Sequence, residues 1–334
     1  LINESLLIDQ FTIAHGDGVA TTSGLISFTD GVTLDTATQF GAMTREGVMR
    51  LWPIPVGKRS RKWASENLSR GQVQNARLAL RVTLDELVNR PPKTPLRPDA
   101  LQLDMVVDDI DVLFLKTMPP IVGARAELSL DGRGLRVASK GGQVMLPAYK
   151  DVVPPPLTLS SASMDIGDFT APGLPAKINL QADGQISAIL RTLNEPPVKI
   201  LRKVNFDIDR LQGDVSGAVD LTLNLDNRIL KKPPSFVFDG QSTNVSVDGQ
   251  LGNFSLSGGR VLASVNNQLL TLTGRARANN VDLGFEWQQP MAPKTDGAPK
   301  PRLAIHGQVE PQELADLGFA WVGQRIKGPS FINV

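Results

Sequence analysis

Apolar and polar residues alternate almost one by one along several stretches of this chain. Residues 77–84 read Arg-Leu-Ala-Leu-Arg-Val-Thr-Leu, and residues 124–130 and 219–225 alternate in the same way. Successive side chains of a β-strand point to opposite faces, so each stretch predicts a strand with one apolar and one polar face. Because such stretches recur along most of the chain, the pattern predicts one long sheet. Its apolar face is then the surface whose function has to be explained.

The same reasoning predicts a succession of short strands joined by turns. Asp30-Gly31 is a typical hairpin turn, and the 30 Gly and 24 Pro residues are in keeping with many turns. The predicted strands are 6–13, 24–28, 32–35, 73–84, 100–107, 123–131, 134–139, 142–147, 157–165, 177–183, 213–225, 235–239, 243–248, 251–257, 260–265, 269–277, 280–287 and 302–309. We therefore expect a mainly β fold, an elongated antiparallel meander in which consecutive strands pair.

Three segments break the alternation and predict short helices, near 58–69, 186–204 and 310–321. In the first helix, Gly71 lies just past the end and is a candidate C-cap. In the third, Pro311 lies in the first turn, where a missing N–H costs nothing. The apolar residues of the first helix are Trp63 and Leu68, and its exposed basic residues are Lys58, Arg59, Arg61 and Lys62.

No stretch of the chain is a linker long enough to separate independent domains, so we expect a single elongated domain over 1–334. Residues 288–301 have the low complexity of a flexible loop. A strand–turn–strand unit at 130–144 recurs weakly at 247–261, which suggests a sheet that extends by adding hairpins. The chain starts without methionine and stops inside an apolar run, which suggests a fragment of a longer protein.

Composition narrows the classes of function. A net charge of +1 with no basic stripe gives no support to nucleic-acid binding. With no cysteine, disulfides and Cys-ligated metals are excluded, in keeping with an oxidising compartment although many cytosolic domains also lack cysteine. The sequence contains no run of eighteen apolar residues, the length that a membrane-spanning helix needs. Aromatic residues make up only 5% of the chain, so Leu, Val, Ile and Ala supply the apolar face.

The chain offers little that predicts catalysis. Its two histidines, His15 and His306, lie far apart in sequence; we expect one at a turn and the other on a solvated strand face. The acidic residues Asp104, Asp108, Asp109 and Asp111 do not have calcium-loop spacing and predict a solvated strand end or loop. Serines 160, 161 and 163 are not in a nucleophile elbow. We therefore predict no enzyme, no metal and no cofactor.

Three hypotheses for the apolar face remain open at this point. It could conduct lipid, or it could be the closed dry core of a structural or interaction scaffold, a sandwich or a solenoid. Scarce aromatic residues and sequential hairpins favour a continuous meander over a sandwich. The third hypothesis, a hydrolase, would require Asp104, Asp108 or Asp109 to meet a histidine in space.

Several short motifs resemble those of AsmA-like bacterial proteins, in particular the YhdP-like branch. Trp52-Pro53 precedes a helix containing Arg61, Trp63 and Asn67, which leads into Gly71-Gln72-Val73. Residues 118–126 through Gly141-Gly142, and the later Leu193-Asn194-Glu195-Pro196-Pro197, resemble the following parts of the same family. The resemblance covers most of 45–330 in order, and no catalytic residue comes with it.

The resemblance implies a bridge-like lipid-transfer protein, whose antiparallel sheet curves into a U-shaped groove that is apolar inside. Such proteins are periplasmic, are anchored in the inner membrane of Gram-negative bacteria, and contribute to outer-membrane biogenesis. The expected partners are phospholipids, the inner membrane through an anchor absent from this chain, and outer-membrane components; nucleic acid is not expected. The residues expected to line the groove and contact lipid are Leu78, Leu80, Val82, Leu84, Leu128, Leu130, Leu221, Leu223, Leu225, Leu256, Leu270 and Leu272.

Overall fold

The chain forms a mainly β structure, as the alternation predicts. The computed structural model describes all residues except 1–3, 53, 55–56, 90, 92–93, 114–117, 149–152, 195–206, 227–233, 252–253, 280, 292–298, 319 and 334. Strands hold 60% of the residues and helices 15%, and the strands belong to one 18-stranded sheet. The predictions of a mainly β fold and of an antiparallel sheet are therefore confirmed.

The elements follow one another in a simple order. The strands are β1 Ser5–His15, β2 Gly18–Ser27, β3 Thr33–Phe40, β4 Met43–Thr44, β5 Leu68–Thr83, β6 Leu101–Val112, β7 Ile121–Asp131, β8 Leu135–Lys140, β9 Gln143–Val144, β10 Leu157–Ile166, β11 Pro175–Gln185, β12 Leu211–Asn224, β13 Ser235–Leu251, β14 Phe254–Asn266, β15 Leu269–Ala278, β16 Val281–Pro290, β17 Arg302–Val309 and β18 Ser330–Asn333. The helices are α1 Arg45–Leu51, α2 Lys58–Asn67, α3 Leu84–Val88, α4 Ile186–Asn194, α5 Glu313–Asp316 and α6 Ala320–Gly323, with a 3₁₀ turn at Ile208–Arg210.

The chain divides into two compact units. Unit 1 comprises Leu1–Met145, Leu159–Asn179 and Thr222–Pro233. Unit 2 comprises Leu146–Thr158, Leu180–Leu221 and Pro234–Val334. Strands β10, β11 and β12 contribute residues to both units. The expectation of a single domain over 1–334 stays a prediction.

In unit 1 each long strand pairs antiparallel with the next long strand. The order is β1–β2–β3–β5–β6–β7–β8, with the short β4 beside β5 and the short β9 beside β7. Strand β8 then pairs with β10, as Val137 opposite Met164 shows. The Asp30-Gly31 turn joins β2 and β3, as predicted. A meander of sequential hairpins is therefore observed here.

In unit 2 the same rule holds from β13 to β18, since each strand pairs antiparallel with the one that follows it. Two strands are longer than the sequence predicts. The separate predictions at 235–239 and 243–248 are one strand, β13, which extends to Leu251. The prediction at 251–257, from residue 254 onward, and the one at 260–265 are one strand, β14, and residues 252–253 lie outside the described residues. Positive φ angles at Asn244 and Gly258 accompany the register shifts, so the strands bulge at these points instead of ending.

Two of the three helix predictions are confirmed at their starts. Helix α2 begins at Lys58 but ends at Asn67, so the predicted C-cap Gly71 lies inside β5. Helix α4 begins at Ile186, and residues 195–204 of that prediction lie outside the described residues.

The third predicted helix, 310–321, is two short helices, α5 and α6. Gly318, with a φ of 80°, interrupts the segment between them. The predicted loop at 288–301 starts later than expected, because residues 288–290 belong to β16. Residues 292–298 of that prediction lie outside the described residues.

Candidate functional site

The strand register aligns several of the predicted lining residues on one face of unit 1. Leu78 on β5 lies opposite Leu103 on β6, Leu103 lies opposite Leu130 on β7, and Leu130 lies opposite Leu135 on β8. Leu135 in turn lies opposite Ile166 on β10. Residues directly opposite in an antiparallel pair share a face. An apolar row therefore crosses these strands, and we call the face that carries it the apolar face.

A second apolar row runs beside the first. Ala76 lies opposite Met105, Met105 opposite Leu128, Leu128 opposite Val137, and Val137 opposite Met164. In both rows the leucines and valines are half-buried, so no second layer covers them fully. The two rows form a surface of small and medium-sized apolar side chains without hydrogen-bonding groups.

The apolar face continues toward β1, where it becomes increasingly exposed. Val82 on β5 is only 2% exposed, and its row runs through Leu34 and Ile26 to Leu6, which is 44% exposed. Leu80 lies opposite Leu101 on β6. On β3, however, the residues opposite Leu80 and Leu78 are threonines, Thr36 and Thr38. One of these, Thr38, shares a 2.9 Å hydroxyl–hydroxyl hydrogen bond with Thr22 of β2. The polar groups on this part of the face therefore satisfy each other.

Unit 2 has an apolar face built in the same way, but it is more buried. Leu270 on β15 lies opposite Val265 on β14, which lies opposite Phe238 on β13, and all three are buried. The neighbouring row contains Leu272 and Trp287 and ends at Leu303, which is 58% exposed. Burial within unit 2 therefore decreases along the row from β15 to β17.

The remaining predicted lining residues have mixed outcomes. Leu221 is buried and Leu223 half-buried on β12, and Leu256 packs beside the cluster that contains Val281. Two predictions of position are wrong. Leu84 is the first residue of α3, not the last of a strand, and Leu225 follows the end of β12; both side chains are exposed.

Short helices cover one end of the apolar face in each unit. In unit 1 Val48 and Leu51 of α1 pack on a buried cluster of Met43, Val73, Ala76 and Val107. In unit 2 Leu314 of α5 and Leu317 pack in a buried cluster with Ala278, Val281 and Val309. Both rows of unit 1 begin at this cluster, since Ala76 belongs to it and Leu103 and Met105 pack against it.

The sequence analysis missed helix α1, although a signal for it exists. Thr44 caps the helix through its side-chain oxygen, which accepts the Gly47 N–H at 3.3 Å. Glu46 lies in the first turn, where a negative charge is favourable. A threonine followed by an acidic first turn is a recognised start signal for a helix.

The opposite face of unit 1 is polar and holds ion pairs. Arg136 on β8 pairs with Asp165 on β10 at 3.3 Å. A concavity of about 620 Å³ lies against this face, where Asp104, Glu127 and Lys177 are among the lining residues. These side chains alternate along their strands with those of the apolar face. Its lining also includes Met105, Leu128, Val137 and Met164 of the second apolar row, so both polar and apolar residues border the concavity.

The acidic run on β6 is neutralised by arginines of the neighbouring strands. Asp108 pairs with Arg125 of β7 at 2.5 Å. Arg70 of β5 pairs with both Asp109 and Asp111. Among the described residues, no group of His, Cys, Asp and Glu comes together that could hold a metal ion. Asp108, Asp109 and Asp111 therefore lie near the end of β6 and pair with adjacent strands, whereas Asp104 lies within the strand.

The two histidines lie where the sequence analysis expects them. His15 is the last residue of β1, next to the turn into β2, and is exposed. His306 is exposed on β17, and its imidazole lies over Gly284 of β16, where a Cβ would come within 2.2 Å of Nε2. His15 belongs to unit 1 and His306 to unit 2. The absence of a catalytic site stays a prediction.

Comparison with known proteins adds no relative. No protein-family model, curated protein or solved structure matches the chain. The AsmA-like resemblance therefore stays a prediction based on the sequence motifs. Within the described part of the chain, no helix has both the length and the apolar character needed to cross a bilayer.

Proposed function

We propose that the apolar face binds phospholipid acyl chains and that the chain is a periplasmic section of an AsmA-like lipid-transfer bridge. In this proposal the sheet curves into a U-shaped groove, apolar inside, that conducts lipid between the inner and outer membranes. The full-length protein would be anchored in the inner membrane. The chain would act without enzymatic activity or cofactor.

The observation that carries the proposal is the pair of half-buried apolar rows in unit 1. The row through Leu78, Leu103 and Leu130 crosses five strands with no charged residue in it, as does the row through Met105 and Leu128. Each acyl CH₂ removed from water there is worth about 0.8 kcal/mol. A lining without hydrogen-bonding groups also lets an acyl chain slide, because it meets no deep energy well.

The second candidate is a non-catalytic scaffold whose apolar face is a closed dry core. The buried row of Phe238, Val265 and Leu270 in unit 2 favours it, since these side chains are already removed from water. The two candidates differ in what a charge on the half-buried rows should do. A lipid-binding surface would lose its ligand and keep its fold, whereas a dry core would unfold.

A pair of neighbouring strand positions gives a matched test. Leu128 is half-buried on the apolar face of β7, and Ala138 is exposed on the opposite face of β8. We expect Leu128→Asp to reduce phospholipid transfer between vesicles by about tenfold or more, because the carboxylate has to be desolvated against the acyl chain. Ala138→Asp, which adds the same charge on the polar side, should leave transfer unchanged.

Native mass spectrometry and circular dichroism complete the test. The unsubstituted chain should carry phospholipid through purification, and Leu128→Asp should keep the β spectrum while losing that lipid. A chain without bound phospholipid, together with an unfolded Leu128→Asp variant, would support the scaffold with a dry core. Equal transfer by Leu128→Asp and Ala138→Asp would exclude the proposed lipid-binding surface.

A further inference from the structure

A row of basic side chains crosses the polar face of unit 2. Arg260 on β14 lies opposite Arg275 on β15. Gly284 on β16 lies opposite both Arg275 and His306, its partners on β15 and β17. We call these four residues the cationic row. Arg275 is three positions from Leu272 on β15, so the cationic row lies on the face opposite the apolar one.

The two arginines of the cationic row face each other without an acidic partner. Both side chains are exposed, and among the described residues neither guanidinium group forms an ion pair. Like charges directly opposite each other on two strands are destabilising. The arrangement therefore costs stability in the free chain, and a bound anion would remove this cost.

The carboxylates beside the cationic row are engaged by other residues. Asp282 and Glu286 lie two positions before and two positions after Gly284, on the same face of β16. Asp282 forms an ion pair with Arg277 at 3.3 Å. Glu286 accepts a hydrogen bond from the side-chain amide of Gln288 at 2.7 Å. Neither carboxylate is therefore paired with an arginine of the cationic row.

The missing side chain of Gly284 lets the imidazole of His306 approach the arginines. A Cβ on Gly284 would overlap this ring, since it would lie 2.7 Å from Cε1 and 2.8 Å from Cδ2 of His306. The ring therefore occupies the side-chain position over β16. Because adjacent strands are about 4.8 Å apart, the imidazole lies about one strand closer to Arg275 than its own backbone does. Three hydrogen-bond donors thus follow one another over β14, β15 and β16.

A β-bulge in β14 places Arg260 in the cationic row. The register of β14 against β15 shifts between Ser257 and Arg260, and Gly258 has a φ of 61° at this point. If the register before the shift continued, Gly259 would lie opposite Arg275. The extra residue puts Arg260 there instead. Bulges of this kind re-aim a side chain and are frequent beside functional sites.

We propose that the cationic row binds a phosphate group between the guanidinium groups of Arg260 and Arg275, with the imidazole of His306 as a further donor. Side chains directly opposite on two strands start from Cβ atoms about 4.5–5.5 Å apart, so both guanidinium groups can reach one ligand. Each guanidinium can donate two parallel N–H hydrogen bonds to phosphate oxygens. A phosphate has enough oxygens to serve both arginines, whereas a carboxylate has only two.

The phosphate site goes beyond the proposed function and is independent of it. The cationic row lies on the polar face of unit 2, whereas the proposed lipid contacts lie on the apolar face of unit 1. Soluble phosphate esters and phospholipid headgroups both carry the group that the site would bind. A failure of acyl-chain binding would therefore leave phosphate binding unaffected.

Isothermal titration calorimetry with inorganic phosphate tests the site, with sodium chloride keeping the ionic strength constant. We expect Arg275→Gln and Arg260→Gln each to raise the dissociation constant by about tenfold or more, because each removes a charged pair of donors. The matched control is Arg302→Gln. Arg302 is exposed on the same face of β17, about 13 Å along the strand from His306, and its loss should leave phosphate binding unchanged.

Thermal denaturation gives a second measurement of the same site. Without phosphate, Arg275→Gln should raise the Tm, because it removes one of two opposed positive charges. Phosphate should raise the Tm of the unsubstituted chain and of Arg302→Gln, since a ligand of the folded state stabilises it. It should not raise the Tm of Arg275→Gln. Circular dichroism checks that each variant keeps the β spectrum.

Two further probes distinguish the sources of the phosphate group. Glycerol 3-phosphate tests a soluble ester, and vesicles of phosphatidylglycerol, compared with vesicles of phosphatidylcholine, test an anionic headgroup. Whichever probe binds should bind Arg302→Gln and lose affinity for Arg275→Gln. The proposal is overturned if inorganic phosphate does not bind, or if Arg302→Gln weakens binding as much as Arg275→Gln does. The latter result would mean a general attraction to positive charge instead of a site.

Discussion

Asp17 connects a hairpin turn to a helix through a single carboxylate. It lies between β1 and β2, and its Oδ2 accepts the backbone N–H of Thr44 at 2.6 Å. Thr44 is the N-cap of α1, the helix that covers one end of the apolar face. Asp17 also lies close to the backbone of α1 at Gly47, because a Cβ on Gly47 would lie 2.8 Å from Oδ1 of Asp17. The position of α1 thus depends on a residue of the preceding hairpin.

The ionised form of Asp17 stabilises this arrangement. The hydrogen bond from the Thr44 side chain, then the one from its backbone N–H, hold the pKa of Asp17 below its ordinary value of 3.8. A folded-state pKa that is lowered contributes stability above the ordinary value, and this contribution is lost as the pH falls through the lowered value. We expect the amides of α1 to lose hydrogen-exchange protection in that acid range.

The control for this prediction is Asp17→Asn, which keeps an acceptor without the titration. Glu46 in α1 also has a lowered pKa, because its own backbone N–H and then Arg45 donate hydrogen bonds to it, so both proteins should carry Glu46→Gln. Below pH 3.8 the protection of α1 should fall in the protein that retains Asp17 and stay constant in the Asp17→Asn variant. An equal acid response in both would contradict the prediction.

Sequence patterns predict some of these residue positions and not others. The alternation placed Leu78, Leu128 and Leu130 on one face, because strand geometry is local and repeats every two residues. It could not connect Asp17 with Thr44, which is 27 residues away. Contacts of this length depend on how hairpins and helices meet, and no local pattern encodes them.

Helix α3 shows how a polar motif ends a strand. Thr83 accepts the Glu86 N–H at 3.1 Å, and Glu86 accepts the Thr83 N–H at 3.0 Å, so the two residues form a capping box. The alternation of 77–84 continues into this motif, which is why Leu84 resembled a strand residue. The Thr-x-x-Glu signal was present in the sequence and would have placed the end of β5 correctly.

Thr83→Ala should destabilise the chain by about 1 kcal/mol, since it removes the side-chain oxygen that caps the helix. Thr83→Ser keeps the oxygen and is the matched control, so its stability should be close to that of the unsubstituted chain. Urea denaturation followed by circular dichroism measures both. If the alanine and serine variants unfold at the same urea concentration, the cap does not stabilise α3.

At the level of elements, the sequence predicted where strands lie better than where they end. Strand β17 has the predicted bounds, 302–309, but β13 and β14 each join two predicted strands. At such positions a glycine or asparagine adopts a positive φ within a continuing ladder, as Gly258 and Asn244 do. In the sequence the same residue types also end strands, so local composition does not separate a bulge from a turn.

For the molecule as a whole, the sheet order could be predicted, because sequential hairpins pair neighbours along the chain. The covering of the apolar face could not be predicted, because it depends on where α1 and α5 pack. The structure shows half-buried rows in unit 1 and a buried row of Phe238, Val265 and Leu270 in unit 2, each within its own unit. The side chains of a half-buried apolar row still expose apolar surface to water. A ligand that covers this surface would therefore stabilise the folded chain.

This difference predicts how the stability of the whole chain responds to lipid. A ligand that binds only the folded state stabilises it, by about 2.7 kcal/mol at a hundred times its dissociation constant. We expect a short-chain phospholipid, kept below its critical micelle concentration, to raise the Tm of the unsubstituted chain and of Ala138→Asp. The rise should be absent from Leu128→Asp, whose charge lies in the half-buried row. An unchanged Tm in all three proteins would mean that the rows are not a lipid-binding surface, whatever their exposure.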